Sequence, residues 1–208
     1  MIALIDYKMG NLQSVMNAFE ILRDDVKLTQ SLEDLQKAEA IVLPGVGAFG
    51  DGMKNLKELG LIPVLQKEVQ EKKKPILGIC LGMQLMAREG TEYGLHKGLG
   101  WLEGVVDLIK PSYSSFKVPH MGWNDVSVKE ESKLFADIEE PVYYFVHSYS
   151  FVPDAKEEKS VVATCSHGQE IVAAVEKEDM FGVQFHPEKS QGAGLKVLEN
   201  FLSTAIHA

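Results

Sequence analysis

Cys80, His186 and Glu188 are the side chains best suited to covalent chemistry, and their settings say which chemistry. Cys80 lies in Pro75-Ile76-Leu77-Gly78-Ile79-Cys80-Leu81-Gly82-Met83-Gln84. Gly-x-Cys-x-Gly is the thiol counterpart of the strained Gly-x-Ser-x-Gly nucleophile turn. A thiol at a helix N-terminus feels the positive end of the dipole and free N–H groups, which favours thiolate. His186-Pro187-Glu188 closes an apolar run. In extended backbone alternate residues share a side, so His186 and Glu188 project together, with Pro187 fixing the backbone between them. A carboxylate can then hold one imidazole nitrogen and leave the other facing a nucleophile. Taken singly, Cys80 also fits a buried structural cysteine, and His-Pro-Glu a solvated turn. Together they supply the thiol, base and orienting acid of acyl transfer.

These residues need a scaffold that brings them together. Residues 76–79 are apolar and opened by a proline, which predicts a buried strand; 81–89 predict a helix closed by Gly90. Cys80 thus stands where strand turns into helix, and glycines 78 and 82 let that turn pack tightly. Upstream, 2–5, 26–28 and 40–43 read as strands. Helices are predicted over 12–23, with Val15, Phe19 and Leu22 on one stripe, over 51–59 with Asp51 as N-cap, and over 62–74. The last has Pro63 in its first turn and Lys72, Lys73 and Lys74 in its final one, where they suit the dipole. This order implies a mostly parallel sheet flanked by helices.

Downstream, 105–109, 126–128, 142–146, 161–164, 171–176 and 181–184 are short strands at hairpin-like spacing, and 192–205 a closing helix. The expectation is an α/β protein of one domain, 1–208: a central, mostly parallel mixed sheet flanked by helices, with an added antiparallel part in the second half. Such sheets hold ligands at the carboxyl ends of strands, where Cys80 and His186 both fall.

Composition narrows the partners. A hydrophobic content of 45% over 208 residues supports a sizeable core. A net charge of −9 argues against nucleic acid or an anionic membrane as the main partner. Two cysteines indicate no disulfide framework, and the opening Met1-Ile2-Ala3-Leu4-Ile5 meets Asp6 too soon for a secretory signal, so cytoplasm is expected. No residues have metal-ligand spacing and no glycine-rich phosphate loop is present, so neither metal nor cofactor is expected. Cys165 reads as structural, His96, His167 and His207 as solvated, and His120 as no catalyst.

Gly-Ile-Cys-Leu-Gly-Met-Gln at 78–84 and Gln-Phe-His-Pro-Glu at 184–188 resemble the signature blocks of class I glutamine amidotransferases, whose glutaminase domains release ammonia from glutamine through a cysteinyl thioester. Four more blocks are similar to the glutaminase subunits of imidazole glycerol phosphate synthases. They are Ile5-Asp6-Tyr7-Lys8-Met9-Gly10-Asn11, Pro44-Gly45-Val46-Gly47-Ala48-Phe49, Pro119-His120-Met121-Gly122-Trp123-Asn124 and Tyr144-Phe145-Val146-His147-Ser148-Tyr149. The Pro-His-Met-Gly-Trp-Asn block is the most specific.

That resemblance implies the class I glutamine amidotransferase fold and a set of roles. Cys80 attacks the glutamine side-chain amide carbon, His186 moves protons and Glu188 orients it. Leu81 and either Val46 or Gly47 give backbone N–H groups to the oxyanion. Gln84, His147, Ser148, Tyr149 and Ser150 bind L-glutamine. Pro119, Met121, Trp123, Asn124, Tyr144 and Lys189 face a separate (β/α)₈-barrel cyclase subunit in a heterodimer. The cyclase combines the ammonia with a phosphoribulosyl-formimino nucleotide, giving imidazole glycerol phosphate and aminoimidazole carboxamide ribotide in histidine biosynthesis.

Lys8 departs from the glycine common at its position, and a positive φ there would strain it; His167 and Ile171 replace common aromatics. Rival readings are a glutaminase for another synthase (anthranilate or pyridoxal phosphate), a cysteine peptidase of related fold, and an inactive regulatory subunit.

Overall fold

The computed structural model describes residues 1–10, 12–112 and 115–206, so Asn11 and His207 lie outside the described residues. In chain order the first strands are β1 (Ile2–Ile5), β2 (Val26–Thr29), β3 (Ala40–Leu43), β4 (Ile76–Ile79), β5 (Ala87–Gly90), β6 (His96–Lys97) and β7 (Leu102–Leu108). Then follow β8 (His120–Asp125), β9 (Ser127–Val128), β10 (Val142–His147), β11 (Tyr149–Pro153), β12 (Val161–Ser166), β13 (Glu170–Lys177) and β14 (Met180–Val183). The helices are α1 (Leu12–Glu20), α2 (Leu32–Lys37), α3 (Phe49–Glu58), α4 (Leu61–Leu65), α5 (Leu81–Leu85) and α6 (Gln191–Ile206).

The main sheet runs β2-β1-β3-β4-β14-β13-β12-β9. Pairing is parallel from β2 to β14 and antiparallel beyond, as the change of character along the sequence predicts. β1, β3, β4 and β14 are buried along their whole length, so they read as continuous apolar runs. Alternate residues feed two cores. Ile2 and Leu4 pack with Phe19 of α1 and Phe201 of α6, and Ala3 and Ile5 with Phe49, Leu56, Leu61 and Leu85 of the helices on the other face. A separate four-stranded sheet, β11-β7-β5-β6, and a two-stranded ribbon, β8-β10, stand beside it. Among the described residues no helix is long and apolar enough to cross a membrane.

The structure corrects several local expectations. The helix after Cys80 stops at Leu85 instead of running to 89, and Ala87–Gly90 is a strand. The carbonyls that would continue the helix are taken from outside it: Leu85 by the Leu99 N–H, Met86 by Trp101 and Leu102, Ala87 by Gly100, and Arg88 by Gly98. Gly98 permits this approach, since a Cβ there would stand 2.1 Å from the Ala87 oxygen. The helix expected over 62–74 is α4 followed by a π-helical turn, Gln66–Glu71, closed by Lys72 N–H on the Lys67 carbonyl. That winding buries Glu68 between Lys72 and Lys74, and Lys74 Nζ also donates to the Leu35 and Gln36 carbonyls, serving the C-terminus of α2 instead of its own helix. Ala48, not Asp51, is the N-cap of α3. α2, capped by Ser31, and strands β5, β6, β8 and β11 went unpredicted.

Candidate active site

Three adjacent parallel strands end together. β4 pairs β3 on one side and β14 on the other, with Gly78 opposite both Leu43 and Gly182. The chain therefore delivers the Gly45-Val46-Gly47 loop, Cys80 and His186 to one edge. Cys80 has φ 52° and ψ −107°, the strained conformation its motif predicts. Its N–H is held by the Val183 carbonyl at 2.8 Å. The flanking glycines are required: a Cβ on Gly82 would lie 1.7 Å from the Leu43 oxygen, and on Gly78 2.7 Å from Met83 N.

His186 Nδ1 donates to Glu188 Oε1 at 2.8 Å. The imidazole is buried, which works against its charged form. The nearby Cys80 and then Glu188, which takes the Nδ1 hydrogen bond, outweigh that and raise the ring to about 10. In this resting arrangement Nε2 makes no closed hydrogen bond. Ser190 clamps the turn: its hydroxyl donates to the His186 carbonyl at 2.6 Å and accepts from Tyr144 N–H at 3.0 Å. No sequence signal singled out Ser190. Gln184, within the second signature block, is also buried and aims its amide at Cys80 Sγ, 3.6 Å away.

A cavity of about 420 Å³ opens beside Cys80. Val46, Gly47, Leu81, Gln84, His147, Ser148 and Tyr149 line it, all of them expected site residues. Ser150 lies behind the wall and does not line it. Glu92 and Tyr93 also line it and were missed. They sit in a turn between β5 and β6, inside the stretch expected to follow a helix. Glu92 Oε2 accepts the Phe49 N–H at 2.9 Å, tying this turn to the start of α3. Gln84 is buried and donates to the Tyr149 carbonyl and to Gln184 Oε1, each at 2.9 Å. Leu81 N–H, the expected oxyanion donor, is engaged: it donates to the Gly45 carbonyl at 3.2 Å. Lys8 has φ 64°, the strain its departure from glycine predicts.

The six expected partner-facing residues fall on and near the β8-β10 ribbon. Met121 and Trp123 point outward at 61% and 49% exposure. Trp123 meets Tyr144 edge-on at 6.2 Å, and Lys189 Nζ lies 5.8 Å over the Tyr144 ring. Pro119 is exposed at the cavity mouth. Asn124 differs, for its amide turns inward to the Ser166 carbonyl and His120. Two histidines expected in solvent are packed: His96 against Gly50, and His167 stacked on His120 at 4.3 Å with Nε2 bonded to the Lys117 carbonyl. Cys165 is buried, which raises it to about 12, an inert thiol as expected. Among the described residues no group of His, Cys, Asp or Glu could hold a metal ion.

A strained Gly-x-Cys-x-Gly turn and a His-Glu pair end neighbouring parallel strands, and a cavity of amino-acid size opens beside the cysteine, the arrangement of a cysteine-dependent acyl-transfer fold. The model for glutamine amidotransferase class-I matches residues 3–205, and the chain belongs to that family. It is 49% identical to imidazole glycerol phosphate synthase subunit HisH 1 of Campylobacter jejuni, over 97% of this chain and 99% of that one. It is 47% identical to the subunit HisH of Zymomonas mobilis, over 97% and 94%. Among solved structures, a glutamine amidotransferase superposes with TM-score 0.76 at 20% identity, covering 99% of both chains. PurLQS from Thermotoga maritima gives 0.72 at 23% identity, covering 98% of this chain and 97% of that one.

Proposed function

We propose that this chain is the glutaminase subunit of an imidazole glycerol phosphate synthase, a cytoplasmic heterodimer with a separate cyclase. It hydrolyses L-glutamine and hands on the ammonia for histidine biosynthesis. Cys80 on the cavity lining, with the His186–Glu188 pair at the end of the neighbouring strand, carries this reading.

The mechanism follows from the positions. Cys80 Sγ attacks the side-chain amide carbon of glutamine, and the carbonyl electrons move onto oxygen. His186, poised against Glu188, gives a proton to the nitrogen as the C–N bond breaks and ammonia leaves. Water, deprotonated by His186, then cleaves the thioester and releases glutamate, restoring Cys80. Glu92 is the carboxylate of the cavity lining, placed to receive the α-ammonium. The backbone of 147–149 suits the α-carboxylate.

The oxyanion needs Leu81 N–H, which the Gly45 carbonyl now occupies. Turning over the Gly45–Val46 peptide frees that donor and swings Val46 N–H toward the same point. This favours Val46 over Gly47 as the second donor. The resting chain is accordingly a slow glutaminase that a bound partner accelerates.

The test is Cys80→Ala in the complex with the cyclase. Glutamine-dependent product should vanish, while product from added ammonium persists. Retained glutamine turnover would overturn the assignment, and Cys165→Ser should be nearly silent.

A further inference from the structure

Behind the cavity wall lies a run of hydrogen bonds that permits a single arrangement of protons. His147 Nδ1 is 2.8 Å from the Tyr149 carbonyl. A carbonyl only accepts, so His147 carries its proton on Nδ1 and Nε2 is a lone pair. His120 Nδ1, 3.0 Å from that Nε2, must therefore donate. His120 Nε2 is then also an acceptor, and Asn124 Nδ2 meets it at 3.1 Å. The second proton of the same amide goes to the Ser166 carbonyl at 2.9 Å. Every donor points the same way, and protonating either ring breaks a link. Burial and the neighbouring histidines accordingly hold His120 down to about 3, and burial first among several causes holds His147 down to about 4.

The run is braced by stacking and by register. His120 lies between Phe145 at 4.6 Å and His167 at 4.3 Å. It stands directly opposite His147 across the antiparallel pair of β8 and β10. Both ring nitrogens of His147 are spent on the protein, so its side chain has no hydrogen bond left for substrate. It holds the backbone of 147–149, whose Tyr149 carbonyl is also gripped by Gln84. That backbone lines the same cavity as Cys80.

We propose that His120 and Asn124 are positioning residues for glutamine: through His147 they hold the wall that receives its α-amino-acid end, and so set affinity and not the chemical step. This rests on the glutaminase reading. β8 thereby has two jobs on its two faces, since Met121 and Trp123 point out from the strand that turns His120 and Asn124 in.

The test has a spectroscopic and a kinetic arm. In the full chain with ¹⁵N-labelled histidine, His120 and His147 should both resonate as neutral Nδ1–H forms; either ring as Nε2–H or imidazolium overturns the proposal. In the complex with the cyclase, His120→Phe keeps the stack but removes both nitrogens. Its KM for glutamine should rise about 10-fold, from an orphaned buried acceptor, with kcat little changed. His120→Asn, which can still donate to His147, should recover most of that loss. A lowered kcat and melting point with unchanged KM would reduce His120 to a structural role and overturn the proposal. Should His120→Phe not fold, Asn124→Ala is expected to show the same KM-only effect, and unchanged KM there overturns it equally. A wild-type complex that hydrolyses no glutamine would instead break the glutaminase reading itself.

Discussion

Along the carboxyl edge of β3, β4 and β14, each functional residue lies within a few positions of its own strand end. Along the β8-β10 ribbon, function depends on which residue pairing places opposite which. The first region is built from buried parallel strands whose register is held on both sides. The second is two strands, one partner each, whose faces alternate between core and solvent. Catalysis needs a fixed geometry, and the sheet edge supplies it through local turns. Recognition surfaces are assembled from distant segments, and on the proposed function the ribbon supplies them. The same edge also keeps Leu81 N–H bonded to Gly45, so rigid placement of the proposed triad coexists with an engaged candidate oxyanion donor.

Breaking the edge should cost most. His186→Ala should lose glutaminase activity nearly as completely as Cys80→Ala, because members of a catalytic unit are not additive. Glu188→Ala should lose roughly 100-fold less, since it removes orientation and leaves the proton carrier. Steady-state rates on the complex decide this, and a Glu188 loss above the His186 loss would mean the roles are misassigned.

Steric tolerance should divide the two regions next. Gly82→Ala puts a Cβ against the Leu43 backbone and should cost about 3 kcal/mol or more of stability. Gly122 on the ribbon has φ 121° with open space around its Cβ position, so Gly122→Ala should cost only about 1–2 kcal/mol of backbone strain. Urea titration measures both, and equal losses would contradict the contrast.

The ribbon should matter to the partner. Trp123→Ala is expected to weaken cyclase binding by about 2 kcal/mol or more, as buried aromatic anchors do. Lys189→Glu should impair product formed per glutamine consumed while leaving the isolated fold intact. Calorimetric titration of the cyclase with each variant is the check, and unchanged affinity and coupling in both would move the interface elsewhere.

A further contrast is a pH dependence confined to the edge. Folding raises His186 from 6.5 to about 10, so its favourable contribution is complete below about 6.5 and is lost as pH rises through about 10. The melting-point gap between wild type and His186→Ala should narrow across that window. A gap that widens would show that the imidazole is not held charged.

Cys80, His186, Glu188 and the paired glycines were legible because their information is local. A residue three positions from a strand end cannot travel far from it, and a missing Cβ on either side of a nucleophile marks a turn packed against neighbouring backbone. The apolar runs of β1, β3 and β4 were legible for the same reason: a strand buried on both faces needs no partner to identify it. Glu92 was not, because a helix-favouring composition over 81–89 hid the strand that delivers it. Only the 98–102 segment, by taking the carbonyls of Leu85 to Arg88, ends that helix. His120, read from the sequence only as part of the partner-facing block and no catalyst, was missed for a related reason. Its role exists only once β8 lies antiparallel to β10 in one register, and a shift of one residue would turn it to solvent. Residue types and short spacings therefore settled the reaction, while long-range hydrogen bonds, which no stretch of sequence contains, decided what surrounds it.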